Sequence, residues 1–150
     1  MREKLLVGGV AAAVCALLGL ATATAHHAFA AEFDGSRPVS LRGPVTRVEW
    51  INPHSRIHID NRKPDGTTQS WMIEGGTPHS LLRRGITKDS LAIGVEIAVR
   101  AYQSKDGLCV PQCRANGRDI TFPDGRRLFM GSSGIGAPRD GADPDDRSRG

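Results

Sequence analysis

Between Val45 and Tyr102 the chain alternates apolar and polar residues with a period of two, interrupted by clusters of turn-forming residues. That period puts successive side chains on opposite faces of an extended strand, so the chain must pair strands to cover one face. Val45, Arg47, Glu49 and Ile51 alternate with Thr46, Val48 and Trp50, and Arg56 to Asp60 repeats the pattern after Asn52-Pro53-His54. Pro64-Asp65-Gly66 supplies a turn, because proline fixes one dihedral and glycine accepts the positive φ that closes it. Gln69 to Glu74 then gives a third strand, with Trp71 and Ile73 on one face and Ser70, Met72 and Glu74 on the other. Trp50 and Trp71 run in phase with Val48 and Ile73, which assigns both indoles to the core rather than to ligand stacking.

After Gly75-Gly76 the pattern changes. Thr77 can cap a helix, Pro78 suits its first turn, Leu81 and Leu82 are expected to face inward, Arg83 and Arg84 sit where a helix dipole favours cations, and Gly85 ends it. Alternation returns from Leu91 to Tyr102, and Asp119 to Phe122 and Arg127 to Met130 flank Pro123-Asp124-Gly125 as a terminal hairpin. Three strands, one short helix, then two or three strands predict an all-β domain, a small OB-like barrel whose closure removes the exposed edges. In that architecture the Asn52 to Ser55 loop and the loop around Cys109 would lie at the ligand-binding rim.

The amino terminus reads as a leader for export. Arg2 and Lys4 form a basic head, Leu5 to Ala21 is apolar or small, and Ala23-Thr24-Ala25 is an A-x-A cleavage site. The stretch is too short for a stop-transfer helix, and no later segment could span a bilayer. A second A-x-A at Ala28-Phe29-Ala30 leaves a later cut after Ala30 open, but the spacer would be unusually long. Cys15 follows Val14 where a lipoprotein signal wants a small residue. The expected division is a signal peptide over 1–25, a barrel over 26–131 and a disordered Gly/Pro/Asp/Arg tail over 132–150. The expected location is outside the cytoplasm.

Removing Arg2, Glu3 and Lys4 with the leader takes the formal charge from +4 to +3. The remaining cations are scattered among acids with few aromatics, which is not a nucleic-acid footprint, and no membrane attachment is expected after cleavage. Cys109 and Cys113 become an even pair in an oxidising compartment, where a disulfide is the default, with a redox or metal-binding pair as the alternative. A ring this short would chiefly stiffen its own loop.

Several motifs together carry a resemblance. His26-His27-Ala28-Phe29, Glu32-Phe33-Asp34, Val48-Glu49-Trp50-Ile51-Asn52-Pro53-His54, Glu74-Gly75-Gly76, Leu82-Arg83-Arg84-Gly85, Lys88-Asp89-Ser90-Leu91, Phe122-Pro123-Asp124-Gly125-Arg126 and Gly131-Ser132-Ser133 span about residues 26 to 138. The chain resembles a widespread family of small exported bacterial proteins known only as a domain of unknown function. The resemblance implies a periplasmic location and an OB-like barrel, and it brings no activity and no catalytic residues.

Two candidate sites follow from the residues. Cleavage after Ala25 would expose His26 as the amino terminus beside His27. A terminal amine and imidazoles, with His54 as a third partner, make a nitrogen set suited to copper(II). The ordinary alternative is a solvated terminus and a His54 that hydrogen-bonds its own turn; His79 is expected to be an exposed helix residue. Second, the outer face of the first three strands carries Glu49, Arg56, His58, Met72 and Glu74, with Arg47 and Asp60 nearby and Asn52 at the rim. Such a face could recognise a small polar ligand or a periplasmic protein, or it could be ordinary cross-strand pairing. Glu49 and Glu74 with His58 could form an acid–base set, but nothing in their spacing gives the two carboxyls different environments. The expectation is a non-enzymatic binding or accessory module with no assured cofactor, with a copper-binding protein as the alternative and a hydrolase third.

Overall fold

The computed structural model describes residues 28–131 and 137–138. The leader, His26 and His27 lie outside those residues, as does the tail apart from Ala137 and Pro138. The elements run α1 (Ala28–Glu32), β1 (Phe33–Glu49), β2 (Arg56–Arg62), β3 (Thr68–Glu74), α2 (Pro78–Arg83), β4 (Glu96–Ser104), β5 (Cys113–Thr121) and β6 (Arg127–Phe129). The fold is mostly antiparallel β sheet with two short helices. None of the described helices is long and apolar enough to cross a membrane.

The strand order is β3-β2-β1-β4-β5-β6, and β3 also pairs with β5. The β3–β5 pairing is parallel, with Trp71 opposite Cys113 and Glu74 opposite Asn116. Following the pairings from β1 through β2, β3, β5 and β4 therefore returns to β1.

One strand serves two neighbours because β1 is long. Its first part pairs with β4 from Phe33 to Pro44, and its last part pairs with β2 from Val45 to Glu49. The strand starts well before the expected Val45, because Gly35, Pro38, Gly43 and Pro44 hide the alternation of the segment from Phe33 to Pro44. At Gly43 the strand passes so close to β2 that a Cβ would stand 2.0 Å from the Asp60 carbonyl oxygen. Only a residue without a side chain permits that approach.

The core takes Leu41, Val45, Ile57, Ile59, Trp71, Ile73, Ile97, Val99, Ala115 and Ile120 from the strands, and Leu81, Ile86 and Leu91 from the β3–β4 connection. Trp50 is half-buried against it. The helix between β3 and β4 starts as expected: Thr77 Oγ1 accepts from the Ser80 amide at 3.1 Å, and Pro78 begins the first turn. Leu82, expected inward, is exposed. Adjacent helical residues point about 100° apart, so a six-residue helix that buries Leu81 turns Leu82 to solvent.

A second, smaller cluster caps the outside of β4. Phe29 of α1 packs on Phe33 at 5.8 Å between ring centroids and edge-on to Tyr102 at 5.9 Å, with Ala137 against the group. This helix was not foreseen, because five residues are too few for a periodicity to register.

Candidate functional site

The cross-strand register collects the predicted outer-face residues into two rows. Glu49 stands opposite Arg56, which stands opposite Glu74; Arg47 stands opposite His58, which stands opposite Met72. Residues directly opposite share a face, as do residues two apart on one strand, so all six side chains lie on one side of β1, β2 and β3.

That side is only partly solvated. His58 is 6% exposed and Met72 9%, whereas alternation alone placed both on the wet face. Over His58 the cover is the loop closed by the Cys109–Cys113 disulfide. Gln112 brings its amide oxygen to 3.1 Å from His58 Nδ1, and Gln69 of β3 donates to the Cys109 carbonyl at 3.5 Å. A side-chain amide can present its oxygen or its NH2, so the imidazole keeps a partner there in either tautomer.

On its other side His58 meets Glu49, with Nε2 2.9 Å from Oε1. Arg47 reaches the same oxygen at 2.6 Å, and Arg56 donates to Oε2 at 3.4 Å. The His58 hydrogen bond is the largest cause holding the Glu49 carboxyl below its ordinary range; partial burial opposes it, and Arg47 and Arg56 add to the lowering. One carboxylate thus fixes an imidazole and two guanidinium groups, and the arginines remain half-exposed at the surface.

Glu74, at the other end of the first row, behaves oppositely. Burial raises its carboxyl, helped by the charge of Glu32, while His54, Arg114 and Arg56 pull it down. The His54 ring packs at the rim with Nδ1 3.3 Å from the Gly75 carbonyl oxygen and 3.9 Å from Glu74 Oε1. The turn bearing it is fastened to the end of β3 by Ser55 N to Gly76 O and Gly75 N to Ser55 O, at 2.9 and 2.8 Å. Asn52 is exposed in the same turn, and His79 is exposed on α2 as expected.

The two carboxyls therefore do differ in environment, which spacing alone did not reveal. They nonetheless flank Arg56 across two strand spacings, roughly 10 Å, and Glu49 is already engaged by three donors. His54 is the one described member of the proposed copper set, and no group of three or more His, Cys, Asp or Glu among the described residues is placed to hold a metal ion.

A further polar cluster escaped the sequence reading. Asp119, 2% exposed, lies between Arg100, whose Nε is at 3.2 Å, and Arg127. Its neighbour Arg118 is 1% exposed, stacked 4.6 Å over the Phe129 ring and donating to the Pro138 carbonyl. The register between β4 and β5 slips between Arg100 and Ala101, which face Asp119 and Gly117. This bulge lets two adjacent charged residues both be enclosed. Two neighbouring charges inside a strand pattern were the available signal.

A family model described as a family of unknown function (DUF6152) matches residues 14–111, more than half of the chain. The match runs through β4 and ends before β5, so the motifs at Phe122 to Arg126 and Gly131 to Ser133 lie beyond it. No curated protein matches the chain. No solved structure matches it.

Proposed function

We propose, for a chain that belongs to this family of unknown function, an exported binding module without catalytic chemistry of its own, built as an OB-like barrel behind a cleaved leader. The cycle of pairings through β1, β2, β3, β5 and β4, with a short helix between β3 and β4, supports the barrel. The leader rests on its basic head, apolar run and A-x-A site.

The observation that carries the binding reading is the Glu49 carboxylate held by His58, Arg47 and Arg56. Guanidinium groups fixed by a carboxylate at the surface are preorganised to take an anionic or strongly polar group without first ordering long side chains. The partner is a periplasmic protein or a small polar ligand whose acidic group meets Arg47 and Arg56. Affinity capture by the intact protein from periplasmic extract, repeated with Glu49→Lys, Arg56→Glu and His58→Ala, tests this. A partner kept by the native chain and lost from each variant supports the face; retention by all three rejects it.

A copper(II) site is the second reading. Glu32 at the end of α1 accepts from Arg114 at 2.7 Å, Arg114 is paired with Met72 of β3, and Glu74 of the same strand has Oε1 3.9 Å from His54 Nδ1. The start of the domain and the Asn-Pro-His turn thus share one neighbourhood. Uptake of one equivalent of copper(II) by the chain starting at His26, abolished by one added residue before His26, is the expected result; equal uptake by the extended chain rejects it.

A further inference from the structure

The tail from Ser132 offers almost nothing to bury, and Ala137 and Pro138 are packed against the domain. Ala137 joins Phe29, Phe33 and Tyr102, and a Cβ on Gly35 would stand 3.3 Å from the Pro138 ring. The Pro138 carbonyl accepts from the buried Arg118.

Tyr102 and Arg118, which hold this dipeptide, also line a cleft of about 270 Å³ together with Ser40 and Arg100. A second hollow continues past Arg100 to Arg127 and Asp119. Three guanidinium groups and one carboxylate therefore line the combined groove along β1, β4 and β5. Twelve residues follow Pro138; Asp140, Asp143, Asp145 and Asp146 form a stretch with no cation between them, flanked by Arg139 on one side and Arg147 and Arg149 on the other. An extended chain advances about 3.3 Å per residue, so this stretch easily reaches Arg100 and Arg127 from Pro138.

We propose that the basic groove of β1, β4 and β5 is a docking surface for the acidic stretch Asp140 to Asp146 of the chain's own carboxy-terminal segment. Three features select that occupant over a foreign one. Pro138, from which the segment continues, is held by Arg118 of the groove lining; the charge of the Asp140 to Asp146 stretch is opposite to that of the lining; and tethering gives it an effective concentration in the millimolar range. Attachment through exposed charges weakens as salt rises, because carboxylate–guanidinium attraction at a surface is screened. This groove is separate from the Arg47–Arg56 face and does not depend on the reading of that face.

The experiment uses the full chain with Cys15→Ser and a nitroxide at Ser148→Cys, followed by amide NMR. In low salt, severe broadening of the Ser40, Arg100 and Thr121 amides is expected, while Thr67 and Gly66 at the far turn stay sharp. The same chain with Asp140, Asp143, Asp145 and Asp146 all changed to Asn should recover at least half of the lost intensity, as should the native tail at 0.5 M salt. These substitutions change no residue of the strands, helices or core, so loss of folding does not confuse the result. Sharp groove amides in low salt overturn the proposal. Broadening that persists unchanged in the Asn variant overturns the charge recognition on which it rests, and an acidic partner binding the groove equally well in both chains would assign the surface to that partner instead.

Discussion

Nε2 of His58 stands 2.9 Å from Oε1 of Glu49, on a ring that the disulfide loop has closed off from water. The relationship joins two strands, a loop and the Arg47–Arg56 face. Replacing His58 by Ala removes one of the three donors to Glu49 and takes the imidazole partner from Gln112. A loss of about 1–3 kcal/mol is expected from the unmade hydrogen bonds, read as a lower urea midpoint at unchanged slope.

The same contact sets a pH dependence. Glu49 titrates below its ordinary value of 4.5 in the fold, so the folded protein binds this proton less tightly than the unfolded chain does. Its contribution to stability is present above pH 4.5 and is lost as pH falls through the folded value. Urea titrations from pH 7 to pH 3 should show a shallower acid-side decline in Glu49→Gln than in the native protein. Parallel declines would disprove the linkage.

Glu74 carries the reverse sign. Burial raises its carboxyl above 4.5, so the fold favours the protonated form, and the contribution is complete below pH 4.5 and lost as pH rises through the folded value. Glu74→Gln, which keeps the shape and cannot ionise, should be at least as stable as the native protein at pH 7. The gap between the two should close below pH 4. A variant less stable at pH 7 would mean that the His54 and Arg114 attractions outweigh desolvation.

Phe29 bears on where an exported chain is cut. Its ring is 6% exposed against Phe33 and Tyr102, and next to it the Ala30 carbonyl accepts from Lys105 Nζ. Cleavage after Ala30 would remove that ring, whereas cleavage after Ala25 keeps it. Mass spectrometry of the secreted protein should find a first residue upstream of Phe29. Phe29→Ala should lower stability toward the low end of the ~3–5 kcal/mol typical of buried phenylalanine truncation.

Reducing the Cys109–Cys113 bridge should cost well under the ~3 kcal/mol of a 15-residue ring, since it encloses so few residues. The change should instead be local. Amide exchange is expected to rise from Leu108 to Gln112 and at His58, with the Ile97 to Ala101 amides of β4 unaltered. Global unfolding on reduction would contradict this.

The alternation from Val45 to Tyr102 was enough to identify β2, β3 and most of β4, and the Thr77-Pro78 start and Gly85 stop identified α2. Those signals are local: a cap, a turn or a two-residue period needs only its sequence neighbours to act. The same alternation grouped Glu49, Arg56, His58, Met72 and Glu74 on one face, because neighbouring residues in register must share it. What covers that face could not be read locally. His58 is enclosed by Gln112, which lies 54 positions away, and Tyr102 by Phe29 and Ala137. Tertiary closure also separated Glu49 from Glu74, lowering one carboxyl and raising the other. Proton affinity depends on the charges and solvent within a few ångströms, and only the folded chain decides which residues those are.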